Sequence, residues 1–220
     1  MPKDLKLNNT KYRIKNDGTV IINNSRLPDE YQEVEYIEST GTQYIDTLFL
    51  PDSNSGLEVK AEFTEYNSIQ HSGSGWLENQ RFNFGITNSG LSIAYGEWYN
   101  TTILDSNAHV YKIDQNNNTV SIDNMSFDIT STYQRESNLT FCLFARNRTG
   151  GIDYNCKMRL YYCKLFDNNS LARHLIPCYR KLDKKPGLYD LVNNVFYTNQ
   201  GTGDDFVAGP ENDFIEGPEV

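Results

Sequence analysis

The sequence predicts an all-β fold, an antiparallel β-sandwich or jelly roll with a short N-terminal β-hairpin extension. Three observations predict it. The 220 residues include 15 Tyr and 11 Phe, and aromatic residues suit pleated, half-buried strands. From residue 27 onward, short segments that alternate apolar and polar residues follow one another with turn residues between them, as in sandwiches. Finally, no segment of ten or more residues has a helical period.

The individual strands differ in how clearly they can be predicted. Residues 57–64 alternate cleanly, which predicts a strand with one buried and one wet face. Residues 109–114 and 120–123, separated by an Asn-rich turn, predict a hairpin. Residues 139–145 and 157–166 are largely apolar, so we expect longer strands buried on both faces.

The first 26 residues form a separate segment in this prediction. Residues 12–14 and 20–22 flank Asp17-Gly18, which predicts a hairpin with an Asp-Gly turn. Residues 1–26 are then a hairpin and a linker. Because a two-stranded hairpin is not stable alone, we expect it to pack on the main domain, on a partner chain or on a larger assembly, and a role as an anchor is left open. Residues 27–210 are then the sandwich, and residues 211–220 are a C-terminal tail.

The charge of the chain excludes several partners. A net charge of −9 repels a phosphate backbone and an anionic membrane surface, so we expect no nucleic-acid partner. No apolar run approaches the roughly 20 residues that a membrane-spanning helix needs, so we expect no membrane insertion. The first residues also lack an apolar signal-peptide stretch, which disfavours a secreted protein.

Cysteine and metal chemistry are not prominent. No Cys-x-x-Cys pair occurs and only three His are present, so a zinc site is not expected. We interpret the cysteines as small buried hydrophobic residues, with two disulfides left open. The cysteines are Cys142, Cys156, Cys163 and Cys178.

We expect no cofactor, although calcium is left open. Asp105, Asn107, Asp204 and Asp205 supply oxygen ligands, but no spacing matches a defined calcium loop.

The order of several motifs resembles a laminin-G-like domain, a concanavalin A-like lectin fold found in phage tail proteins and Gram-positive surface proteins. The resemblance covers residues 27–210. The matching segments are residues 35–47, 109–123, 143–147, 158–167, 171–178, 187–192 and 196–203.

Four residues of these motifs are interpreted as architecture: Arg159, Arg173, Tyr189 and Asp190. We expect the Arg173 guanidinium to donate to loop carbonyls, and Asp190 to accept backbone N–H groups in a turn. The glycines of the closing motifs, such as Gly187 and Gly201, suit turns that need positive φ.

Two tryptophans in polar segments suggest a ligand site. Trp76 and Trp98 both lie in segments that join predicted strands and are rich in Asn, Glu and Tyr. An aromatic face covers the C–H face of a sugar, while polar groups fix its hydroxyls. The hypothesis is a saccharide site with both tryptophans as platforms; the alternative is that either ring fills the core or a subunit interface. The polar contacts would be Asn79, Arg81, Glu97 and Asn100.

Catalysis is not expected. Glu33, Glu35 and Glu38 approximate the carboxylate spacing of glycosidases with this fold, yet a regular strand puts Glu38 on the opposite face from the other two. No Ser/His/Asp set and no phosphate-binding glycine loop is recognisable.

These observations and the resemblance together predict a non-enzymatic binding module. It would be a phage virion or tail-associated protein that recognises host-surface carbohydrate. The alternative is a purely structural virion protein that decorates the particle or forms a collar or fibre. A secreted bacterial adhesin at the cell surface and a glycoside hydrolase are disfavoured. Other virion proteins are the alternative partners, and a homo-oligomer is left open.

Overall fold

The computed structural model describes residues 3–7, 10–14, 16–18, 20–23, 26–65, 70–77, 80–87, 89–130, 138–149, 151–212 and 215–216. Within these ranges every regular secondary-structure element is a β-strand. The strands are β1 Lys3–Leu7, β2 Thr10–Ile14, β3 Val20–Asn23, β4 Tyr31–Glu33, β5 Ile37–Glu38, β6 Ile45–Asp46, β7 Ser55–Phe63, β8 Gln70–Leu77, β9 Gln80–Thr87, β10 Gly90–Tyr95, β11 Glu97–Asn100, β12 His109–Asp114, β13 Thr119–Ile122, β14 Met125–Asp128, β15 Cys142–Leu143, β16 Arg146–Arg148, β17 Gly151–Asp153, β18 Met158–Asp167, β19 Ser170–Arg180, β20 Lys185–Asp190, β21 Val195–Tyr197, β22 Val207–Ala208 and β23 Ile215–Glu216.

Two large sheets form the body of the molecule. The larger has the order β14-β13-β12-β7-β18-β19-β20-β21, with β4, β5 and β22 pairing beside this path. The smaller has the order β11-β10-β9-β8-β16-β17. Their strands are antiparallel except for β16 and β8, which run parallel. A search of the described residues for a helix able to cross a bilayer finds none.

One aromatic core joins the two sheets. Phe84 of the small sheet packs against Tyr111 of the large one, with ring centroids 5.3 Å apart. Phe63 lies edge-on to the same tyrosine at 6.4 Å. These rings belong to one continuous apolar cluster that contains residues from both sheets. The predicted all-β, sandwich-like fold is therefore confirmed.

Strand β7 shows how directly alternation sets the fold. Leu57, Val59 and Ala61 have no exposed surface, while the Glu and Lys residues between them lie on the other face. Because successive side chains of a strand point to opposite faces, the pattern alone fixes which face enters the core. The predicted hairpin of β12 and β13 is also confirmed, with Tyr111 opposite Ile122.

Two predicted strands differ from expectation. Residues 139–145 contain only the two-residue strand β15, although residues 141–145 are all buried. Phe144 has φ of 69°, a left-handed conformation that a strand cannot continue through. Strand β18 forms, but its side chains alternate between buried and partly exposed positions. It therefore faces the core on one side only, contrary to the expectation of burial on both faces.

The N-terminal hairpin forms as predicted and belongs to a larger sheet. Strands β2 and β3 pair antiparallel, and Gly18 in the turn between them has φ of 89°. The sheet has the order β1-β2-β3-β23, so a strand from the segment predicted as a tail completes it. The segment before that strand also pairs with the sandwich: the Asn212 N–H donates to the Glu33 carbonyl over 3.0 Å.

The closing motif holds its loops through Arg173 and Asp190. The Arg173 guanidinium donates to the carbonyls of Thr47 at 3.3 Å and Ala172 at 2.9 Å. The fully buried Asp190 carboxylate accepts the N–H groups of His174 at 2.9 Å and Val192 at 3.0 Å. The expectation for Asp190 is confirmed, whereas that for Arg173 holds only in part, because its side chain is 20% exposed and Ala172 belongs to β19.

The other two residues of that set also make intramolecular contacts. Arg159 donates to Glu38 at 2.8 Å and to Glu62 at 3.0 Å. Tyr189 is 5% exposed and its ring lies 4.9 Å from that of Tyr31.

The glycines of the closing motif are needed for space rather than for positive φ. Gly187 and Gly201 both lie outside the left-handed region. A Cβ at Gly187 would lie 2.1 Å from the Tyr197 carbonyl oxygen, and one at Gly201 would lie 2.0 Å from that of Thr42. No neighbouring backbone can yield that far, so these positions accept only glycine. The expectation of positive φ is wrong.

All four cysteines are free and buried, which confirms their interpretation as small hydrophobic residues. Cys156 and Cys163 lie in the main core, whereas Cys178 packs in a second apolar cluster with Leu27 and Ile176.

Candidate functional site

The structure places five of the six sequence-predicted ligand residues on strands of the small sheet rather than on loops: Trp76, Arg81, Glu97, Trp98 and Asn100. Trp98 lies on β11 and Trp76 on β8. Strands β9 and β10 separate them, which corresponds to about 14 Å across the sheet at the usual strand spacing. The two residues are therefore not neighbours on the sheet, and a ligand that contacted both would have to span β9 and β10.

Of the four polar residues in that hypothesis, only Glu97 and Asn100 have side chains that the structure describes. Asn79 lies outside the described residues, and for Trp76 and Arg81 only the backbone is described, so their side-chain roles remain a prediction. Asn100 is exposed on β11. Glu97 is also exposed, and its carboxylate accepts a hydrogen bond from the Thr130 hydroxyl over 3.2 Å.

Residues on the outer face of the small sheet follow one register line. Each pairs with the next on the neighbouring strand, and paired residues share a face. We call this line the outer row: Trp98, Ala94, Asn83, Gly73, Arg146 and Asp153.

Residues in the middle of the outer row are buried, whereas residues at its two ends are partly exposed to solvent. Ala94 has no exposed surface, and neither has Ser92 on the same face. At one end Trp98 is partly exposed. Beyond the other end Tyr154, which follows β17, is 47% exposed. A ligand therefore has access to the edges of this face rather than to its centre.

The edge at β16 and β17 carries a tightly held group of side chains. The Arg146 guanidinium donates two hydrogen bonds to the Asp153 carboxylate, at 2.7 and 2.8 Å. Arg148 forms a second ion pair with the same carboxylate at 2.5 Å. These bonds, chiefly that from Arg146, hold the pKa of Asp153 below its usual value. The Arg146 side chain is only 9% exposed, so this carboxylate neutralises a charge that has little contact with water.

Tyr154 lies directly on this ion pair. The Arg146 Cζ lies 4.1 Å from the centroid of the Tyr154 ring, within range of a cation–π contact. The ring is thus fixed on one side by a guanidinium that is itself locked, while about half of the residue faces solvent. We call Arg146, Arg148, Asp153 and Tyr154 the Tyr154 platform.

The sequence carries a local signal for this platform. Arg146 and Arg148 alternate, a Gly-Gly pair follows, and Asp153-Tyr154 comes next. This is the pattern of a short hairpin with arginines facing an aspartate. The structure also pairs the backbone of Arg148 with that of Trp76, so the platform borders the strand that carries one of the predicted tryptophans.

The carboxylates considered for glycoside hydrolysis do not lie on one strand. Glu33 ends β4, which pairs with β19, whereas Glu38 ends β5, which pairs with β18. Each forms an ion pair, Glu33 with Arg26 at 2.9 Å and Glu38 with Arg159 at 2.8 Å.

The residues considered as calcium ligands also contact other protein groups. Asp105 contacts His109 at 2.8 Å, and Asp205 contacts Lys185 at 2.6 Å. In the described part of the chain, no three His, Cys, Asp or Glu side chains are grouped so that they could hold a metal ion.

The chain was also compared with known proteins. Its sequence matches no protein-family model, and no curated protein is significantly similar to it.

Proposed function

We propose that this chain is a non-enzymatic module that binds carbohydrate on a host cell surface, as part of a phage tail or other virion surface. The proposal extends the resemblance of its motif order to laminin-G-like domains. Its partners are then a host glycan on one side and other virion proteins on the other.

The Tyr154 platform is the observation that best supports carbohydrate binding. A sugar offers an apolar C–H face and a rim of hydroxyls, so its sites combine a flat ring with nearby charged or amide groups. Tyr154 supplies an exposed ring, and Arg148 lies beside it with its side chain 51% exposed. Because Arg146 and Asp153 already fix the ring, little side-chain entropy is lost when a ligand stacks on it.

Glycan-array binding of the purified chain tests the proposal. We expect Tyr154→Ala to weaken binding about tenfold or more, equivalent to roughly 1.4 kcal/mol. Tyr154→Phe is the matched control because it keeps the ring over Arg146 and removes only the hydroxyl. It should bind nearly as well as the native chain. Trp98→Ala, at the opposite end of the outer row, tests whether the ligand is long enough to reach both edges.

The structural alternative gives different results in the same experiment. A virion protein that only stabilises the particle would copurify with it and bind no glycan. Equal binding by Tyr154→Ala and the native chain would instead show that carbohydrate is bound elsewhere.

A further inference from the structure

The Tyr154 platform contains two positive charges and one negative charge. Arg146 and Arg148 contact the same carboxylate oxygen, Asp153 Oδ2, at 2.8 and 2.5 Å. One carboxylate balances one guanidinium, so one positive charge remains in excess. The whole chain carries a net charge of −9, so this edge of the small sheet is opposite in sign to the chain as a whole.

The two arginines use the shared carboxylate differently. Arg146 donates to it from both Nε and Nη2, and its side chain is 9% exposed. Arg148 contacts it through Nε alone, and its side chain is 51% exposed. A guanidinium has five N–H donors, so four donors on the two terminal nitrogens of Arg148 remain, none of them bonded to a described residue. The excess charge therefore lies on the arginine that solvent and ligands can reach.

The backbone holds the Tyr154 ring in place next to this charge. Tyr154 has φ of 48°, a left-handed conformation that is rare for an aromatic residue. Such a conformation persists only where the surroundings impose it, and it is frequent at ligand clamps. The next two residues are bonded to the body of the molecule: the Asn155 amide donates to the Gln43 carbonyl at 3.3 Å and the Cys156 N–H to that of Phe144 at 2.8 Å. The ring and the arginine are thus positioned before a ligand arrives.

The free donors of Arg148 favour one kind of sugar substituent. The terminal N–H groups of a guanidinium match the paired oxygens of a carboxylate or a phosphate. A neutral hydroxyl accepts one of these bonds and brings no charge. A sugar ring stacked on Tyr154 therefore gains more from Arg148 when it carries an anionic group than when it carries hydroxyls alone.

We propose that the Tyr154 platform binds an acidic sugar unit of an anionic glycan. The sugar ring packs on Tyr154, and its carboxylate or phosphate accepts hydrogen bonds from the terminal nitrogens of Arg148. Arg146 and Asp153 position the ring and do not contact the ligand. This inference rests on the proposed function, carbohydrate binding, and names the class of sugar that the site selects.

NMR titration of the full chain with two matched pairs of sugars tests the proposal. The first pair is a galacturonic acid trimer and its carboxyl-reduced form, which keeps the same rings and linkages. The second pair is galactose 6-phosphate and galactose. At 0.15 M salt the Debye length is about 8 Å, which limits repulsion from acidic groups elsewhere on the chain. We expect the acidic member to bind about fivefold more tightly, and the pair that shows the preference identifies carboxylate or phosphate.

Arg148→Gln tests whether the preference depends on this side chain. It removes the charge and the fork of donors but leaves both bonds between Arg146 and Asp153, so we expect a native Tm. The acidic trimer should then bind about fivefold more weakly, and the reduced trimer should bind as before. Arg148→Lys keeps the charge without the planar fork and should give an intermediate loss.

Arg26→Gln is the matched control. The Arg26 side chain is also 51% exposed, and it pairs with Glu33 of β4 at 2.9 Å. The substitution changes the net charge of the chain by the same amount, so binding of the acidic trimer should stay unchanged. An equal loss in Arg26→Gln would show that overall charge rather than the platform attracts the ligand, and would overturn the proposal.

Two further results would overturn it: equal affinity within both sugar pairs, or an Arg148→Gln variant that keeps the preference for the acidic member. If Tyr154→Ala still abolished binding of the neutral sugars in that case, the proposed carbohydrate binding would stand without this selectivity. Absence of binding by every sugar, acidic or neutral, would instead refute the proposed function and this inference together.

Discussion

The outer faces of the two sheets carry the same kinds of ion pair in different surroundings. On the large sheet Glu58 pairs with Lys164 at 2.7 Å, and these side chains are 23% and 30% exposed. On the small sheet Arg146 pairs with Asp153, and these side chains are 9% and 29% exposed, so the contrast lies in the cation. On the large sheet, water can hydrate the charge that remains when an ion pair is broken. On the small sheet, water reaches that charge much less. The comparison teaches that hydration, rather than bond length, decides what each pair contributes to folding.

The largest expected effect follows from Asp153→Asn. It replaces the carboxylate that accepts two hydrogen bonds from the nearly buried Arg146 with a neutral amide, so we expect the free energy of unfolding to fall by about 2 kcal/mol. Urea denaturation measures it. A loss below about 1 kcal/mol would mean that Arg146 is hydrated after all, and the contrast between the two faces would then disappear.

A matched pair of buried tyrosines tests the same idea for neutral groups. Tyr95 of the small sheet donates to the Ser53 carbonyl over 2.6 Å, whereas the buried Tyr111 hydroxyl of the large sheet has no hydrogen-bond partner among the described residues. We expect Tyr95→Phe to lower stability by about 1 kcal/mol and Tyr111→Phe to raise it by a similar amount. Changes of the same sign in both variants would contradict this account.

His109 is a buried exception on the large sheet and gives a pH-dependent prediction. Its side chain is 8% exposed, and its two ring nitrogens lie 2.8 Å from Asp105 and 2.6 Å from Asp123. Burial alone would lower its pKa, but the hydrogen bonds that the ring donates to these carboxylates raise it above the ordinary 6.5. Only the protonated ring donates from both nitrogens. The stabilisation is therefore complete below pH 6.5 and is lost as pH rises through the raised pKa.

His174 is the matched control for this titration. Burial, with Arg26 and Lys164 nearby, lowers its pKa below 6.5. The unfolded chain then binds the proton more readily, so this residue removes stability as pH falls below 6.5. We expect the urea midpoint of the native chain, measured from about pH 5 to 8, to decrease toward both ends of this range. The decrease at high pH should be absent in His109→Gln, and the decrease at low pH should be absent in His174→Gln. An alkaline fall that survives His109→Gln would exclude the Asp105–His109–Asp123 contact as its cause.

The smallest effect is expected for Glu58→Gln on the large sheet. Its partner Lys164 is 30% exposed, so we expect a loss of about 0.5 kcal/mol that shrinks further in high salt. A loss as large as that of Asp153→Asn would contradict the comparison directly.

The fold could be predicted further than the site could. Strand β7 follows from its alternation, because that pattern is local. The end of strand β15 before Phe144 could not be predicted from the sequence, because a left-handed backbone at a phenylalanine is imposed by packing rather than by propensity. Trp76 and Trp98 looked like parts of one site, but the sheet order that separates them is a non-local property. The pair Arg146–Asp153 could have been predicted from the sequence, because one short turn joins its two residues.

The buried cysteine thiols can report on local unfolding of the chain. A thiol reacts as its thiolate, and burial raises the pKa of Cys178 to about 12 and that of Cys163 higher still. Alkylation in the folded state should therefore be very slow, and its rate in mild denaturant should follow local unfolding. Because Cys178 lies in a different apolar cluster from Cys163, mass spectrometry of the alkylated peptides can follow the local unfolding of the two clusters separately, without introducing any new residue.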